Sequence, residues 1–136
     1  MRVTLTRRYS FSASHRLHSD QMSEAENQTL YGKCNNPFGH GHNYVVEVTL
    51  AGAVDPATGM IANLVDLDAY VQKHVLADFD HRYMNEEIPA FKKLVPTTEN
   101  LCIEIYNRLK GFAGAKLHRV RIEETSRNSF EYTGGA

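Results

Sequence analysis

An α+β fold built on an antiparallel sheet is what this sequence predicts, on three observations. Two long runs alternate polar and apolar residues with period two, two later segments carry apolar stripes at helical spacing, and a shorter alternating run with a turn closes the chain. In the first run Val3, Leu5, Arg7, Tyr9, Phe11, Ala13 and His15 share one parity, opposed by Thr4, Thr6, Arg8, Ser10, Ser12 and Ser14. That pattern predicts one long half-buried strand. Residues 18–33 are polar, dominated by Ser, Asp, Glu, Asn and Gln, and predict a loop with room for one helical turn. A turn cluster of Asn35, Asn36, Pro37 and Gly39 leads into the second strand, where His40, His42, Tyr44, Val46, Val48 and Leu50 line one face.

Asp55, Pro56 and Gly59 mark the next turn, and Leu67, Tyr70, Val71, His74 and Val75 then predict a helix from about Asp66 to Ala77. Pro96, Thr97 and Thr98 begin a second helix, whose stripe of Leu101, Cys102, Ile105 and Leu109 stops at Gly111. A third strand puts His118, Val120, Ile122 and Glu124 on one parity, and a turn at residues 126–128 leads to a last short strand with Phe130 and Tyr132. No repeat or linker interrupts the pattern, so residues 1–136 read as a single domain.

Composition narrows the function classes. With 15 basic and 16 acidic residues the net charge is −1, which argues against nucleic acid or an anionic membrane as a partner. The N-terminal segment lacks the apolar core of a secretory signal and no window approaches a membrane span, so a cytoplasmic protein is expected. The two cysteines, Cys34 and Cys102, do not suggest a disulfide framework; Cys102 fits the core face of the second helix.

The chemistry concentrates in histidines. His40 and His42 on one strand point to the same side, roughly 6.5 to 7 Å apart along the chain, and His15 has the same inward parity on another strand. Imidazoles crowded on an apolar face need partners for their nitrogens, and one metal ion serves all three. Three neutral imidazoles with an open fourth position are the catalytic arrangement for zinc, although imidazole also suits iron, copper and nickel. His18, His74 and His118 each lack a second ligand at diagnostic spacing and read as packing or surface residues. Cys34, separated from His40 by five residues, can return over the metal. There it serves either as a fourth ligand, closing a structural site, or as a thiolate base. Asp80 and His81 make a pair able to move a proton near neutral pH, and Glu124 is an inward carboxylate in need of a specific partner.

Taken in order, Phe11-Ser-Ala-Ser-His15-Arg-Leu, Gly32-Lys-Cys34-Asn-Asn-Pro-Phe-Gly-His40-Gly-His42-Asn-Tyr44, Asp55-Pro-Ala-Thr-Gly59-Met, Asp80-His81, Thr97-Thr-Glu-Asn100 and Glu123-Glu124-Thr125 resemble the 6-pyruvoyl-tetrahydropterin synthase family over nearly the whole chain. The resemblance implies a T-fold: a four-stranded antiparallel sheet with two helices on one face, joining between subunits into a barrel. It further implies a homohexamer made of two trimers, with a site shared between neighbouring subunits. It makes His15, His40 and His42 the ligands of one zinc ion, Cys34 the proton acceptor, Asp80 with His81 the relay, and Glu124 the anchor of the pterin ring near Thr97, Thr98 and Glu99. The implied reaction converts 7,8-dihydroneopterin triphosphate to 6-pyruvoyl-tetrahydropterin with loss of triphosphate, without a nucleotide cofactor, in tetrahydrobiopterin biosynthesis.

Two other readings stay open. 6-Carboxy-tetrahydropterin synthase, on the route to queuosine, starts from the same substrate, but its usual motif has a shorter spacer than the five residues between Cys34 and His40. A non-catalytic zinc-binding module with Cys34 as fourth ligand is the alternative of another class.

Overall fold

A computed structural model describes residues 2–135. The predicted long strands are present as β1 (Arg2–His15) and β2 (His40–Ala53), paired antiparallel with His15 opposite His40 and Ala13 opposite His42. Strand β3 (Arg82–Tyr83) pairs parallel to β1, β4 (Lys116–Thr125) pairs antiparallel to β2, and β5 (Asn128–Tyr132) closes the hairpin with β4. The sheet therefore has five strands in the order β3-β1-β2-β4-β5 and is mixed, which corrects the expected four antiparallel strands. The extra strand is two residues long, too short for a period-two signal in the sequence.

The helices also exceed the expected pair. Helix α1 (Glu24–Tyr31) occupies the segment read as a loop. Its start carries a capping box: the Ser23 hydroxyl accepts from the Glu26 N–H at 3.1 Å, and the Glu26 carboxylate accepts from the Ser23 N–H at 3.0 Å. No apolar stripe announced it, because the one residue of α1 that is buried is Asn27, an amide that ties Ser19, Met22 and Ser23 together.

The first predicted helix runs as α2 (Leu64–Val71), a π-helical turn (Gln72–Leu76) and α3 (Ala77–Phe79), capped by the Asn63 side chain on the Val65 N–H at 2.8 Å. Its buried residues Leu67, Val71, Val75 and Phe79 recur every fourth position. On an ideal α-helix that ladder drifts by about 40° per step, and the wider π turn brings it back towards the sheet. A short α4 (Met84–Glu87) follows β3. Helix α5 (Thr98–Leu109) matches the second predicted helix, with Thr97 as its N-cap accepting from the Asn100 N–H at 3.2 Å.

The core lies between the inward face of the sheet and these helices, where Phe11, Tyr44, Val46, Val48, Leu50, Val120 and Ile122 meet Leu67, Val75, Phe79, Leu101 and Ile105. Cys102 sits in it as expected, 2% exposed. In β4 the parity fails at one point. Leu117 is buried while His118 faces solvent, because the register slips between Thr49 and Leu50 and leaves His118 as the extra residue of a bulge. Among the described residues no helix is long and apolar enough to cross a membrane.

Candidate metal centre and active site

The antiparallel register of β1 and β2 brings the three histidines together. One ring nitrogen of each of His15, His40 and His42 lies within 4.8 Å of the other two, and the ring centroids are 4.6 to 5.0 Å apart. His15 Nε2 and His40 Nε2 are 3.1 Å apart, close to the roughly 3.3 Å that separates two nitrogens on a tetrahedral zinc. His15 is 1% exposed and its Nδ1–H donates to the Pro96 carbonyl at 2.7 Å, a bond that leaves Nε2 as a lone pair facing the centre. Burial, chiefly, pushes its pKa down to about 4, and burial followed by the neighbouring His42 lowers that of His40 as well. Neutral imidazole is the form that binds a metal, so the donor set fits zinc. Tyr44, wholly buried, forms the floor with its ring 5.5 Å from that of His42.

Glu124 stands beside this centre, its Oε2 4.0 Å from His42 Nε2. It is the unpaired residue where the β4–β5 register shifts between Glu123 and Thr125, and it continues the inward parity of Val120 and Ile122. The partners it finds are neutral donors, the Thr98 hydroxyl on Oε2 and the Asn128 amide on Oε1 at 3.2 Å, rather than an Arg or Lys. Burial works to raise its pKa, but these hydrogen bonds outweigh it and hold the carboxyl below its ordinary value, ionised at neutral pH. Thr98 is 2% exposed and turned towards Glu124, while Thr97 caps α5 and Glu99 faces solvent.

Cys34 lies in a 3-10 turn (Gly32–Asn35) that is stitched to the end of β1: Leu17 N–H donates to the Cys34 carbonyl at 2.8 Å, and the buried Asn35 amide donates to the Leu17 carbonyl at 2.7 Å. The thiol is half-buried and unpaired. Burial, and then the Glu124 charge, raise its pKa, and a cation held by the histidines would act in the opposite direction. Among the described residues the cluster with metal-ligand geometry contains the three histidines without Cys34.

Asp80 and His81 form the expected pair, His81 Nδ1 lying 3.0 Å from Asp80 Oδ1. The backbone of β1 brackets them, with Ser12 N–H donating to Asp80 Oδ1 at 3.0 Å and His81 N–H donating to the Ser12 carbonyl at 2.6 Å. His81 has φ 62°, left-handed backbone that a non-glycine residue adopts only when its surroundings impose it. Its side chain is 82% exposed, in a cleft walled by Ser12, Ser14, Asn43 and Tyr83. Those serines and Asn43 belong to the parity opposite to His15 and His42, and His42 lines the same cleft.

Several supports were invisible to sequence reasoning. The Pro96 carbonyl behind His15 and the Thr98 hydroxyl on Glu124 come from residues 81 and 26 positions away, with no local signal.

Known proteins resemble this chain in both sequence and fold. The sequence model of the 6-pyruvoyl tetrahydropterin synthase family matches residues 4–135. The human 6-pyruvoyl tetrahydrobiopterin synthase is 47% identical over 96% of this chain and 90% of its own length. The solved structure of Caenorhabditis elegans 6-pyruvoyl tetrahydropterin synthase superposes with a TM-score of 0.95 at 45% identity, covering 99% of this chain and 97% of that one. A protein of Archaeoglobus fulgidus, provisionally named a 6-carboxy-5,6,7,8-tetrahydropterin synthase, is 37% identical over 78% of this chain and 84% of its own. With a match that spans almost every residue and includes all three clustered histidines, the chain belongs to the 6-pyruvoyl tetrahydropterin synthase family.

Proposed function

We propose that the chain, as a single catalytic domain over residues 1–136, is a zinc-dependent lyase that converts 7,8-dihydroneopterin triphosphate to 6-pyruvoyl-tetrahydropterin and triphosphate. The observation that carries this reading is the convergence of His15, His40 and His42 on one point with an ionised Glu124 beside it, in a chain 47% identical to a 6-pyruvoyl tetrahydrobiopterin synthase. His15, His40 and His42 would hold a zinc ion, which when bound would supply Lewis acidity towards the side-chain hydroxyls of the substrate and so acidify the adjacent C–H. Cys34 takes that proton as thiolate. Glu124 accepts hydrogen bonds from the N–H groups of the pterin ring and fixes its orientation, with Thr97, Thr98 and Glu99 at the edge of the same pocket. Asp80 orients His81, which returns a proton to the ring system. Oxidation of one side-chain carbinol is matched by reduction of the ring C=N bond, and loss of triphosphate from the neighbouring carbons completes the product. The redox change is internal, so no nicotinamide is needed.

In this reading the relay pair that serves one Cys34 comes from a neighbouring subunit, which suits the 82% exposed side chain of His81. In support, β5 is an edge strand, and β3 covers β1 only at Ala13 and Ser14, which leaves strand edges open for pairing between copies. We read the assembly as a hexamer of paired trimers whose sheets close into barrels. A free thiol as base suits a reducing compartment, and the cytoplasm is the proposed location.

The five-residue spacer between Cys34 and His40 favours the pyruvoyl product over the carboxy product of the queuosine route. Mass analysis of the product from 7,8-dihydroneopterin triphosphate tests this: 6-pyruvoyl-tetrahydropterin is expected, and 6-carboxy-tetrahydropterin would overturn it.

A further inference from the structure

Glu124 is approached from two sides, and only one of them belongs to the helix layer. On that side the Thr98 hydroxyl donates to Oε2. On the other, Asn128 at the start of β5 donates its Nδ2–H to Oε1 at 3.2 Å. An Asn amide can present either its oxygen or its nitrogen, and here both neighbours demand the same choice. A carboxylate is an acceptor alone, so it requires the NH2 group. Thr125 requires the oxygen to face the opposite way: its Oγ1 already accepts from the Arg127 N–H at 3.1 Å, and its single hydrogen goes to Asn128 Oδ1. A directed chain results, from the Arg127 N–H through the Thr125 hydroxyl and the Asn128 amide to the Glu124 carboxylate.

The chain crosses the discontinuity at which Glu124 sits. Glu123 pairs with Ser129 and Thr125 with Asn128, leaving Glu124 as the extra residue of the bulge. An unpaired residue at a bulge has lost its ladder partner, and its side-chain direction rests on what else holds it. The Thr125–Asn128 link spans the bulge and fastens its two ends to each other and to the carboxylate. Thr125 and Asn128 are themselves exposed, so they add little to the core.

We propose that Asn128, oriented by Thr125, is a positioning residue that sets the direction of the Glu124 carboxylate and thereby the affinity for the pterin ring. The inference rests on the reading of Glu124 as the ring anchor. Its consequence is that the exposed turn of the β4–β5 hairpin, through Thr125 and Asn128, controls substrate affinity from outside the three-histidine cluster.

The test is steady-state kinetics with 7,8-dihydroneopterin triphosphate, alongside inhibition by biopterin, zinc content and thermal midpoint, for Asn128→Ala, Asn128→Asp, Thr125→Val, Thr125→Ser and Glu124→Gln. Loss of one neutral donor should raise KM and the biopterin inhibition constant about three- to tenfold in Asn128→Ala. Asn128→Asp, which sets a carboxylate against Glu124, should raise them further. Thr125→Val should resemble Asn128→Ala, and Thr125→Ser, which keeps the hydroxyl, should restore affinity; kcat, zinc content and thermal midpoint should hardly move. Unchanged KM in Asn128→Asp beside a large rise in Glu124→Gln overturns the positioning role and spares the anchor. Unchanged KM in Glu124→Gln itself overturns the anchor and the positioning role together. Equal loss in Thr125→Val and Thr125→Ser shows a merely structural turn and also overturns the proposal.

Discussion

His15 and His81 flank the same sheet, yet their environments are opposite. His15 is 1% exposed, its Nδ1–H is fixed on the Pro96 carbonyl, and two other imidazoles face it. The His81 side chain is 82% exposed and, among the described residues, paired with Asp80, on a backbone held at φ 62°. The metal half of the proposed site is complete within one chain, preorganised by strand register, before any ligand arrives. The relay half is exposed to solvent. If the proposed site is shared between subunits, assembly becomes a condition of catalysis.

The largest effects should come from the preorganised half. Replacing His40 or His42 by Ala leaves two ligands, and zinc content, read by metal analysis, should fall to near zero with activity down by roughly 10³-fold or more. Cys34→Ala comes next: a lost base should cost on the order of 10² to 10⁴ in kcat with zinc retained. Zinc lost together with activity would instead mean that Cys34 closes a structural site, and the two halves would then not divide the chemistry as described. Asp80→Asn should cost about 10² in kcat with zinc and KM unchanged, since it releases the orientation of His81 alone.

A smaller effect reads the burial of His15 without any substrate. The folded-state pKa of His15 is lowered to about 4, so between that value and the ordinary 6.5 the unfolded chain binds a proton that the folded chain does not. Stability of the metal-free protein should therefore be full above pH 6.5 and decline as pH falls towards 4, by about 3 kcal/mol from this group. Urea midpoints at pH 7 and pH 5 check it, with His15→Asn flattening the difference. His40, whose pKa is lowered as well, keeps a smaller slope in His15→Asn, and a slope undiminished by that substitution contradicts the assignment.

The same division explains what was legible from sequence. Parity along β1 and β2 was enough to place His15, His40 and His42 on one inward face, because a strand's period is short and the ladder is regular. Where regularity ends, so does legibility. The bulge in β4 turned His118 outward against its parity, and the two-residue β3 left no pattern at all. Helix α1 was missed for a different reason: its buried residue is Asn27, so its signal lay in the Ser23–Glu26 capping box and not in an apolar stripe. Glu124 was correctly expected to face inward, but its partners Thr98 and Asn128 follow from helix docking and a bulge, which no spacing encodes. The Asp80–His81 pair was legible as a pair. Its face was not, since that depends on how β3 docks beside β1.

Mixing subunits tests the shared site most directly. Cys34→Ala and His81→Ala chains, each inactive alone, are unfolded together, refolded with zinc at equal amounts and assayed for 6-pyruvoyl-tetrahydropterin. If every site takes Cys34 from one chain and His81 from a neighbour, random assembly leaves about one site in four intact, and roughly a quarter of wild-type activity should return. A mixture no more active than its parents would show that both groups act within one chain, and would contradict a site divided between subunits.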